Sequence, residues 1–404
     1  MTLPFRGTRP VLEVADIIRQ HGAAFLDKPG GRLTAEQRQA LHDLGRCRTA
    51  ALGGHLQRCG DCGHERPAYN SCRNRHCPKC QALARAAWLE REAALLLPVE
   101  YHHVVFTLPP AVAALARTQP ALLYEALFQT AAATLREVAA NAKHLGAQIG
   151  VLMVLHTWGQ TLQHHPHVHC VVTGGGLACN ARGEVNQEPR WRACRPGFFL
   201  PVRVLSRLFR GKFLAWLRQA FEAGQLTSGS DAAAFTRWLT PLYGSDWVVY
   251  AKPPFGGPER VLKYLARYTH RVAISNHRLV QLEDDQVTFR YQDYAAAGRL
   301  KTMTLPAAEF LRRFVQHVLP KGFVKVRHYG LLANRHREEK LAVCRRLLLV
   351  ETVTAQRAAG EPDEREPTAL EPARVRCCPQ CGSRRLILVT VPPPESAARS
   401  GNTS

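Results

Sequence analysis

The sequence lacks long hydrophobic runs. No segment holds the ~20 uninterrupted apolar residues that a membrane-spanning helix needs. The first residues, from Met1 to Arg6, also lack the apolar stretch of a secretory signal. These absences predict a cytoplasmic protein with no membrane partner. In a reducing compartment its 13 cysteines are not expected to form disulfides, so clustered cysteines predict metal sites.

Negative charge is also scarce. The chain of 404 residues has 32 Asp and Glu against 54 Lys and Arg, a formal net charge of +22. This balance favours a polyanionic partner, because each neutralised phosphate releases counterions, and it argues against an acidic small molecule as the only ligand. Most of the positive charge is arginine, whose planar fork suits phosphates and base edges. Nucleic acid is therefore the predicted partner, although genomic composition can also enrich arginine.

Residues 47–80 concentrate cysteine and histidine. The C-x2-C pairs Cys59/Cys62 and Cys77/Cys80 have the spacing of ligands for one tetrahedral zinc ion. Such a site would be structural, because four cysteines leave no open position. The alternative is buried thiols without metal. The candidates for a possible second zinc are Cys47, His55, Cys72 and His76, with His64 as a competitor.

Basic residues surround these pairs, and three of them are predicted to contact DNA phosphates: Arg73, Arg75 and Lys79. A further pair, Cys378 and Cys381, lies near the C-terminus and has the form of half a zinc knuckle. Cys344 or His336 could complete it, or it could stay empty.

A histidine-rich strand is predicted at residues 164–173. Side chains alternate along a strand, so His167 and His169 share one face while Val168 and Cys170 point into the opposite layer. Two imidazoles on one face can bind one divalent ion, although a polar sheet face without metal would show the same pattern. By ligand softness they suit manganese or zinc better than magnesium. A third ligand is expected, either His156 on the neighbouring strand or a group on the helix predicted at residues 259–271, described next.

A basic helix is predicted at residues 259–271. Tyr264 and Tyr268 are four residues apart and share one face. Tyrosine in a helix is more often core than catalytic, but here a basic stripe suited to DNA phosphates runs beside the pair: Lys263, Arg267 and Arg271. A phenol can attack a phosphate that a divalent ion polarises, giving a 5′-phosphotyrosine and a 3′-hydroxyl.

The predicted order of elements is strand, long helix, strand, strand, at residues 101–108, 111–143, 149–155 and 164–173. This order predicts an α+β fold, an antiparallel sheet with helices packed on it. The predicted domains are a helical and zinc-binding DNA-binding domain at 1–97, a catalytic domain at 98–350 with an insertion near 177–246, and a mostly disordered tail at 351–404.

Together these motifs resemble rolling-circle transposases of the insertion-sequence-91 family, which are HUH endonucleases with an amino-terminal zinc-binding domain. The resemblance covers about residues 10 to 350 and is carried by His-Pro-His167-Val168-His169, by the segment from Tyr264 to Asn276, and by the segment from Ser71 to Cys80. It implies that His167 and His169 bind the catalytic metal and that Tyr264 and Tyr268 are the nucleophiles.

The resemblance also implies Mg²⁺ or Mn²⁺, single-stranded transposon ends as substrate, and strand transfer in rolling-circle transposition. Some relatives keep one tyrosine; both are present here. Two alternatives remain at this point. One is a rolling-circle replication initiator or relaxase, and the other is a zinc-dependent DNA-binding regulator without nuclease activity.

Overall fold

A computed structural model describes residues 10–27, 33–180, 182–197, 199–226, 231–252, 260–261, 273–294, 296–359 and 377–394. The chain divides into two compact units. The first combines residues 1–82, 274–318 and 360–404, and the second combines 83–273 and 319–359. The domains predicted from the sequence are continuous stretches of the chain. Each of the two units instead combines stretches that are far apart in the sequence.

The described helices are α1 (Val14–Leu26), α2 (Ala35–Arg46), α3 (Gln81–Ala93), α4 (Pro110–Thr118), α5 (Pro120–Ala140), α6 (Val202–Glu222), α7 (Ala232–Gly244), α8 (Ala307–Val315) and α9 (Arg337–Ala359). The described strands are β1 (Gly54–Cys59), β2 (Glu65–Tyr69), β3 (Tyr101–Thr107), β4 (Ala147–Trp158), β5 (His164–Ala178), β6 (Trp191–Ala193), β7 (Val249–Lys252), β8 (Leu279–Glu283), β9 (Gln286–Asp293), β10 (Arg299–Pro306), β11 (Val326–Gly330) and β12 (Leu386–Val391). No described helix is long and apolar enough to cross a membrane.

The first unit contains a small helical part. Helix α2 begins with a capping box, in which Thr34 Oγ1 accepts from the Gln37 backbone N–H at 3.3 Å and Gln37 Oε1 accepts from the Thr34 N–H at 3.0 Å. Helix α1 packs on α2 and α8 through its apolar side, which includes the fully buried Ile17. The Val14 backbone N–H donates to Asn276 Oδ1 at 3.1 Å, which connects α1 to the segment that precedes β8.

Two three-stranded antiparallel sheets complete the first unit, in the orders β12-β1-β2 and β10-β9-β8. Strands β8 and β9 form a hairpin, and its turn residues Asp284 and Asp285 have φ of 47° and 58°, as in a two-residue hairpin turn. Strand β12 pairs with the whole of β1, so part of the tail that was predicted to be mostly disordered is a strand.

The second unit contains one antiparallel sheet in the order β11-β4-β5-β3-β7, with β6 also paired to β5. The α+β fold with an antiparallel sheet is therefore confirmed. One face of the sheet carries Phe106, Val168 and Met153, which are fully buried under α4, α5, α6 and α7. The histidine-rich strand β5 lies at the centre, where neighbours on both sides fix its register.

Helix α6 lies within the segment 177–246 that was predicted as an insertion, and it contributes buried side chains to the core of this unit. Phe209 and Phe213 of α6 are fully buried in the same cluster as Phe106 and Trp247. Their rings contact edge to face, with centroids 5.0 Å apart for Phe106 and Phe209 and 5.5 Å apart for Phe209 and Trp247. Helix α6 therefore helps to cover the sheet that positions the histidines.

Strand β5 extends beyond its predicted end at residue 173 and continues through Gly174, Gly175 and Gly176. A Cβ at Gly176 would lie 2.1 Å from Gln148 O, and one at Gly174 would lie 2.7 Å from Glu100 O. Glycine is required here because neighbouring backbone approaches too closely for any side chain. The run allows close packing instead of ending the strand.

Candidate metal centre and cysteine clusters

Three histidines share one face of the second unit's sheet. On β5, His167 lies opposite His156 of β4, and His169 lies opposite Val154. Positions 167 and 169 are two residues apart, so their side chains emerge on the same side, together with that of the cross-strand neighbour His156. His156 was one of the two predicted candidates for the third ligand, and it lies on the same face as His167 and His169.

The three imidazoles converge. Their ligand nitrogens all lie within 4.8 Å of one another, and Nε2 of His167 is 3.1 Å from Nε2 of His169. The centroid of the His156 ring is 4.4 Å from that of His169 and 5.5 Å from that of His167. Nitrogens about 2.0–2.1 Å from one ion stand about 3 Å apart, so the donor set fits one divalent ion and leaves coordination positions for a substrate.

Hydrogen bonds to the outer ring nitrogens orient two of these imidazoles. His167 Nδ1 donates to the backbone carbonyl of His165 at 2.7 Å, which leaves its Nε2 lone pair for a ligand. His169 Nδ1 lies 2.9 Å from Nε2 of His103, a buried residue on β3. Partners of this kind fix the tautomer and the ring orientation of a metal-binding histidine.

Sequence reasoning missed the role of His103. It lies opposite Val171, so it is the diagonal neighbour of His169 on the same face. Only the register between β3 and β5 shows this contact. The adjacent histidines His102 and His103 could have indicated this contact. Side chains alternate along a strand, so one of the two must point to the same face as His167 and His169.

Burial lowers the pKa of His167 to about 4, although the hydrogen bond to the His165 carbonyl acts in the opposite direction. At pH 7 its imidazole is therefore neutral, the form that binds a metal ion.

Replacing His103 by alanine is expected to weaken Mn²⁺ binding at the three histidines by about 10- to 100-fold, because His169 loses the partner that orients it. Calorimetric titration of the full chain with Mn²⁺ measures this. The matched control is His102→Ala, which removes the adjacent imidazole on the opposite face, where it stacks on Phe199. Equal affinity in the His103 variant and the wild type would contradict the role assigned to His103.

A first group of four thiols lies in the first unit: Cys47, Cys72, Cys77 and Cys80. Sγ of Cys47 is 3.6 Å from Sγ of both Cys77 and Cys80, and Cys72 Sγ is 3.6 Å from Cys80 Sγ. Four thiolates at about 2.3 Å from a tetrahedral zinc stand about 3.8 Å apart. Cys47 follows α2 and Cys80 directly precedes α3, so one ion would join two helix ends.

A second group combines Cys59 and Cys62 with Cys378 and Cys381. Sγ of Cys59 is 3.5 Å from that of Cys381, and Sγ of Cys62 is 3.6 Å from that of Cys378. Backbone N–H groups of Cys62 and Asp61 lower the pKa of Cys59 to about 6. Those of Cys381 and Gln380 likewise lower the pKa of Cys378. Both thiols are thus held closer to the thiolate form that binds metal.

The predicted grouping of Cys59 and Cys62 with Cys77 and Cys80 is not the one that the structure has. The hairpin of β1 and β2 separates the pairs: Cys59 and Cys62 lie at its tip, while Asn70 returns to its base, where its N–H donates to Gly53 O at 3.0 Å. Strand β1 rises about 3.3 Å per residue, so base and tip are roughly 17 Å apart. One ion cannot bind at both ends.

Neither histidine of the predicted second zinc set belongs to a cysteine group. His55 is exposed on β1. His76 is buried, with Nδ1 3.2 Å from Asn74 Oδ1. The half-knuckle Cys378/Cys381 is completed by Cys59 and Cys62 rather than by Cys344 or His336.

The predicted DNA-contacting residues differ in accessibility. Arg73 is exposed. Lys79 forms an ion pair with Glu13, and both side chains are mostly buried. Burial lowers the pKa of Arg75. Five predicted residues lie outside the described part of the chain: Lys263, Tyr264, Arg267, Tyr268 and Arg271.

The described residue closest in sequence to the tyrosines is Val261. It is fully buried in a cluster with Leu152 and Val171. Val171 lies two residues beyond His169 on β5, and Leu152 lies directly opposite Val171 on β4. These side chains therefore share the face that carries the three histidines, and Val261 packs on that face.

Comparisons with known proteins define the class of this chain. A family described as "Putative transposase" matches residues 150–340. A family described as "Transposase zinc-binding domain" matches residues 17–108. The first match contains the histidine strand, and the second contains the first cysteine group and the Cys59/Cys62 pair. The chain is thus a transposase with a zinc-binding domain.

Two relatives identify the family. The chain is 52% identical over 386 residues to "Putative transposase y4qJ" of Sinorhizobium fredii (strain NBRC 101917 / NGR234), which covers 94% of this chain and 95% of the relative. It is 30% identical over 299 residues to "Transposase for insertion sequence element IS801" of Pseudomonas savastanoi pv. phaseolicola. That alignment covers 72% of this chain and 68% of the relative. No solved structure matches the chain. The chain belongs to the insertion-sequence-91 family of transposases.

Proposed function

We propose that this transposase cuts and rejoins single-stranded DNA in rolling-circle transposition, with His156, His167 and His169 holding a divalent ion, Mg²⁺ or Mn²⁺, and with Tyr264 and Tyr268 as nucleophiles. The observation that carries this proposal is the convergence of three histidine nitrogens within 4.8 Å of one another on the central strands of the sheet. A DNA-binding regulator without nuclease activity gives no reason for this half-open donor set.

The burial of Val261 supports a role for the tyrosines at this site. Val261 packs on the histidine face, and Tyr264 follows three residues later. Three residues span at most about 11 Å even when fully extended. Val261 itself lies on the face that carries the proposed metal site, which supports the assignment of the neighbouring tyrosines to that site.

The proposed cleavage is a nucleophilic displacement at phosphorus. The phenol oxygen of one tyrosine forms a bond to the phosphorus and loses its proton, the bond from phosphorus to the 3′-oxygen breaks, and that oxygen takes up a proton. A bound divalent ion supplies charge stabilisation for the non-bridging and leaving oxygens. The products are a 5′-phosphotyrosine and a free 3′-hydroxyl, which can reverse the step and rejoin DNA. A second tyrosine can accept a second strand while the first is occupied.

The imidazoles contribute through their protonation state and orientation. Burial lowers the pKa of His167 to about 4, so this ligand stays neutral at physiological pH. The His165 carbonyl and His103 hold the rings of His167 and His169 with Nε2 toward the shared centre. The site is thus preorganised before DNA arrives, which lowers the reorganisation that the reaction requires.

We assign the first cysteine group, Cys47, Cys72, Cys77 and Cys80, to structural zinc, because four thiolates leave no open position for a substrate. We also propose that the basic residues Arg73, Arg75, Lys263, Arg267 and Arg271 contact DNA phosphates. The ion pair with Glu13 makes Lys79 a weaker candidate than the sequence alone suggested.

The test uses the full chain, Mn²⁺, and labelled single-stranded oligonucleotides that carry the ends of the encoding element. We expect cleavage and a covalent adduct that mass spectrometry maps to the peptide with Tyr264 and Tyr268. Tyr264→Phe and Tyr268→Phe separately show which tyrosine reacts, and EDTA should prevent the adduct. Cleavage without any tyrosine adduct would overturn the proposal, and so would binding without cleavage in the presence of Mn²⁺.

A further inference from the structure

We propose that a second zinc ion, separate from the ion at the first cysteine group, binds to four thiols: Cys59, Cys62, Cys378 and Cys381. This ion joins the C-terminal segment that contains β12 to the hairpin of β1 and β2. The family matches end at residues 108 and 340, so they leave Cys378 and Cys381 without a role. The proposal is independent of the cleavage chemistry.

The two C-x2-C pairs have the same backbone turn. In the first, the Cys59 N–H donates to His64 O at 2.9 Å and the Gly63 N–H donates to Cys59 O at 3.1 Å. In the second, the Cys378 N–H donates to Ser383 O at 2.7 Å and the Gly382 N–H donates to Cys378 O at 2.9 Å. Each turn directs two thiols to one side, so the arrangement is a pair of matching zinc knuckles.

Each of these turns includes a glycine in the left-handed region. Gly63 has φ of 70° and Gly382 has φ of 73°, a conformation that other residues rarely adopt. In both knuckles the glycine directly follows the second cysteine. The shared glycine position indicates that the C-terminal pair is a complete knuckle and not an isolated pair of thiols.

Strand pairing brings the two knuckles together. Strands β1 and β12 pair in antiparallel register from Gly54 opposite Val391 to Cys59 opposite Leu386. Just beyond the paired strands, the Gly60 N–H donates to Arg385 O at 2.7 Å. The two knuckles therefore lie at the same end of the sheet β12-β1-β2, with their thiols facing each other.

The distances between the thiols favour a metal ion over a disulfide. The Sγ separations of 3.5 Å and 3.6 Å across the two knuckles are far longer than the roughly 2.05 Å of a disulfide. They are close to the roughly 3.8 Å edge of a tetrahedral zinc site with four thiolates. Four cysteine sulfurs without another ligand type favour zinc over Mg²⁺ or Mn²⁺.

Burial of apolar surface is too limited to hold β12 in place. Ile387, Leu388 and Val389 are 54%, 62% and 44% exposed. The ion pair of Arg385 with Asp61 is largely exposed and contributes little. A small sheet of this kind requires another source of stability, and a bound zinc ion provides it, as in other small metal-binding units.

The experiment measures zinc per chain by native mass spectrometry of the full-length protein. We expect the double variant Cys378→Ser/Cys381→Ser to bind one zinc ion fewer than the wild type, a difference that zinc bound at the three histidines does not change. The matched control is Cys377→Ser, which changes the exposed cysteine next to the knuckle and should bind as many ions as the wild type. A single ion in the wild type, or equal numbers of ions in the wild type and the double variant, would overturn the proposal.

A second measurement on the unmodified chain covers the case in which the double variant does not fold. The zinc-loaded protein is treated with N-ethylmaleimide, and the modified cysteines are mapped by mass spectrometry. We expect Cys377 to react while Cys378 and Cys381 are protected until a chelator removes the zinc. Equal labelling of all three before chelation would overturn the proposal, as would a disulfide among the four cysteines.

Discussion

The double variant His167→Ala/His169→Ala is expected to lose metal-dependent DNA cleavage while it still binds DNA. It removes two of the three nitrogens that converge on the proposed ion site. Stabilisation of charge by a divalent ion contributes several kcal/mol to such a transition state, so its loss slows cleavage by about 10³-fold or more. Single-turnover cleavage of a labelled single strand in Mn²⁺ measures the rate, and gel shifts measure binding.

The same strand offers a matched control. His165 is exposed and acts on His167 through its backbone carbonyl, which an alanine keeps. His165→Ala should therefore cleave DNA within a few-fold of the wild-type rate. His156→Ala should behave like the double variant, because it removes the third nitrogen. If cleavage persists without His167 and His169, or if His165→Ala is equally inactive, the histidines do not form the catalytic metal site.

The double variant Cys72→Ser/Cys77→Ser is expected to unfold much of the first unit. The first cysteine group holds the end of α2, the loop after β2 and the start of α3. A structural zinc ion in a unit of this size contributes on the order of 10 kcal/mol to folding. Amide hydrogen exchange should show lost protection in α1, α2 and the β1-β2 hairpin, and retained protection in β3, β4 and β5 of the second unit.

Cys194→Ser provides the comparison for that experiment, because Cys194 belongs to neither cysteine group. Its exchange pattern should match that of the wild type. A zinc chelator added to the wild type should reproduce the pattern of the double variant. Unchanged protection of α2 after zinc removal would show that the helices of this unit do not depend on the metal.

Local patterns in the sequence predicted the elements around the candidate metal centre well. Alternation along β5 placed His167 and His169 on one face, and the structure has both there. The order of strands and helices gave the antiparallel α+β fold. These predictions succeeded because they depend on neighbours a few residues apart.

Long-range pairing explains the failures. The spacing of a C-x2-C pair shows that two thiols converge, but it does not show which other pair they meet. Cys59 and Cys381 are 322 residues apart, and only the register of β1 with β12 brings them together. The composition of the C-terminal segment predicted disorder and therefore gave no indication of β12. Tertiary packing also determines the positions of His103 and Val261, and local sequence patterns do not show such contacts.

The pairing of β1 with β12 has a consequence for biosynthesis. During translation β1 is synthesised more than 300 residues before its partner β12. The delay between the two strands is roughly 15 to 60 s at about 5–20 residues per second. During this interval one edge of the β1-β2 hairpin stays uncovered. A chain whose translation stops before residue 386 lacks β12 and cannot complete this sheet, so the sheet β12-β1-β2 forms only after nearly the whole chain has been translated.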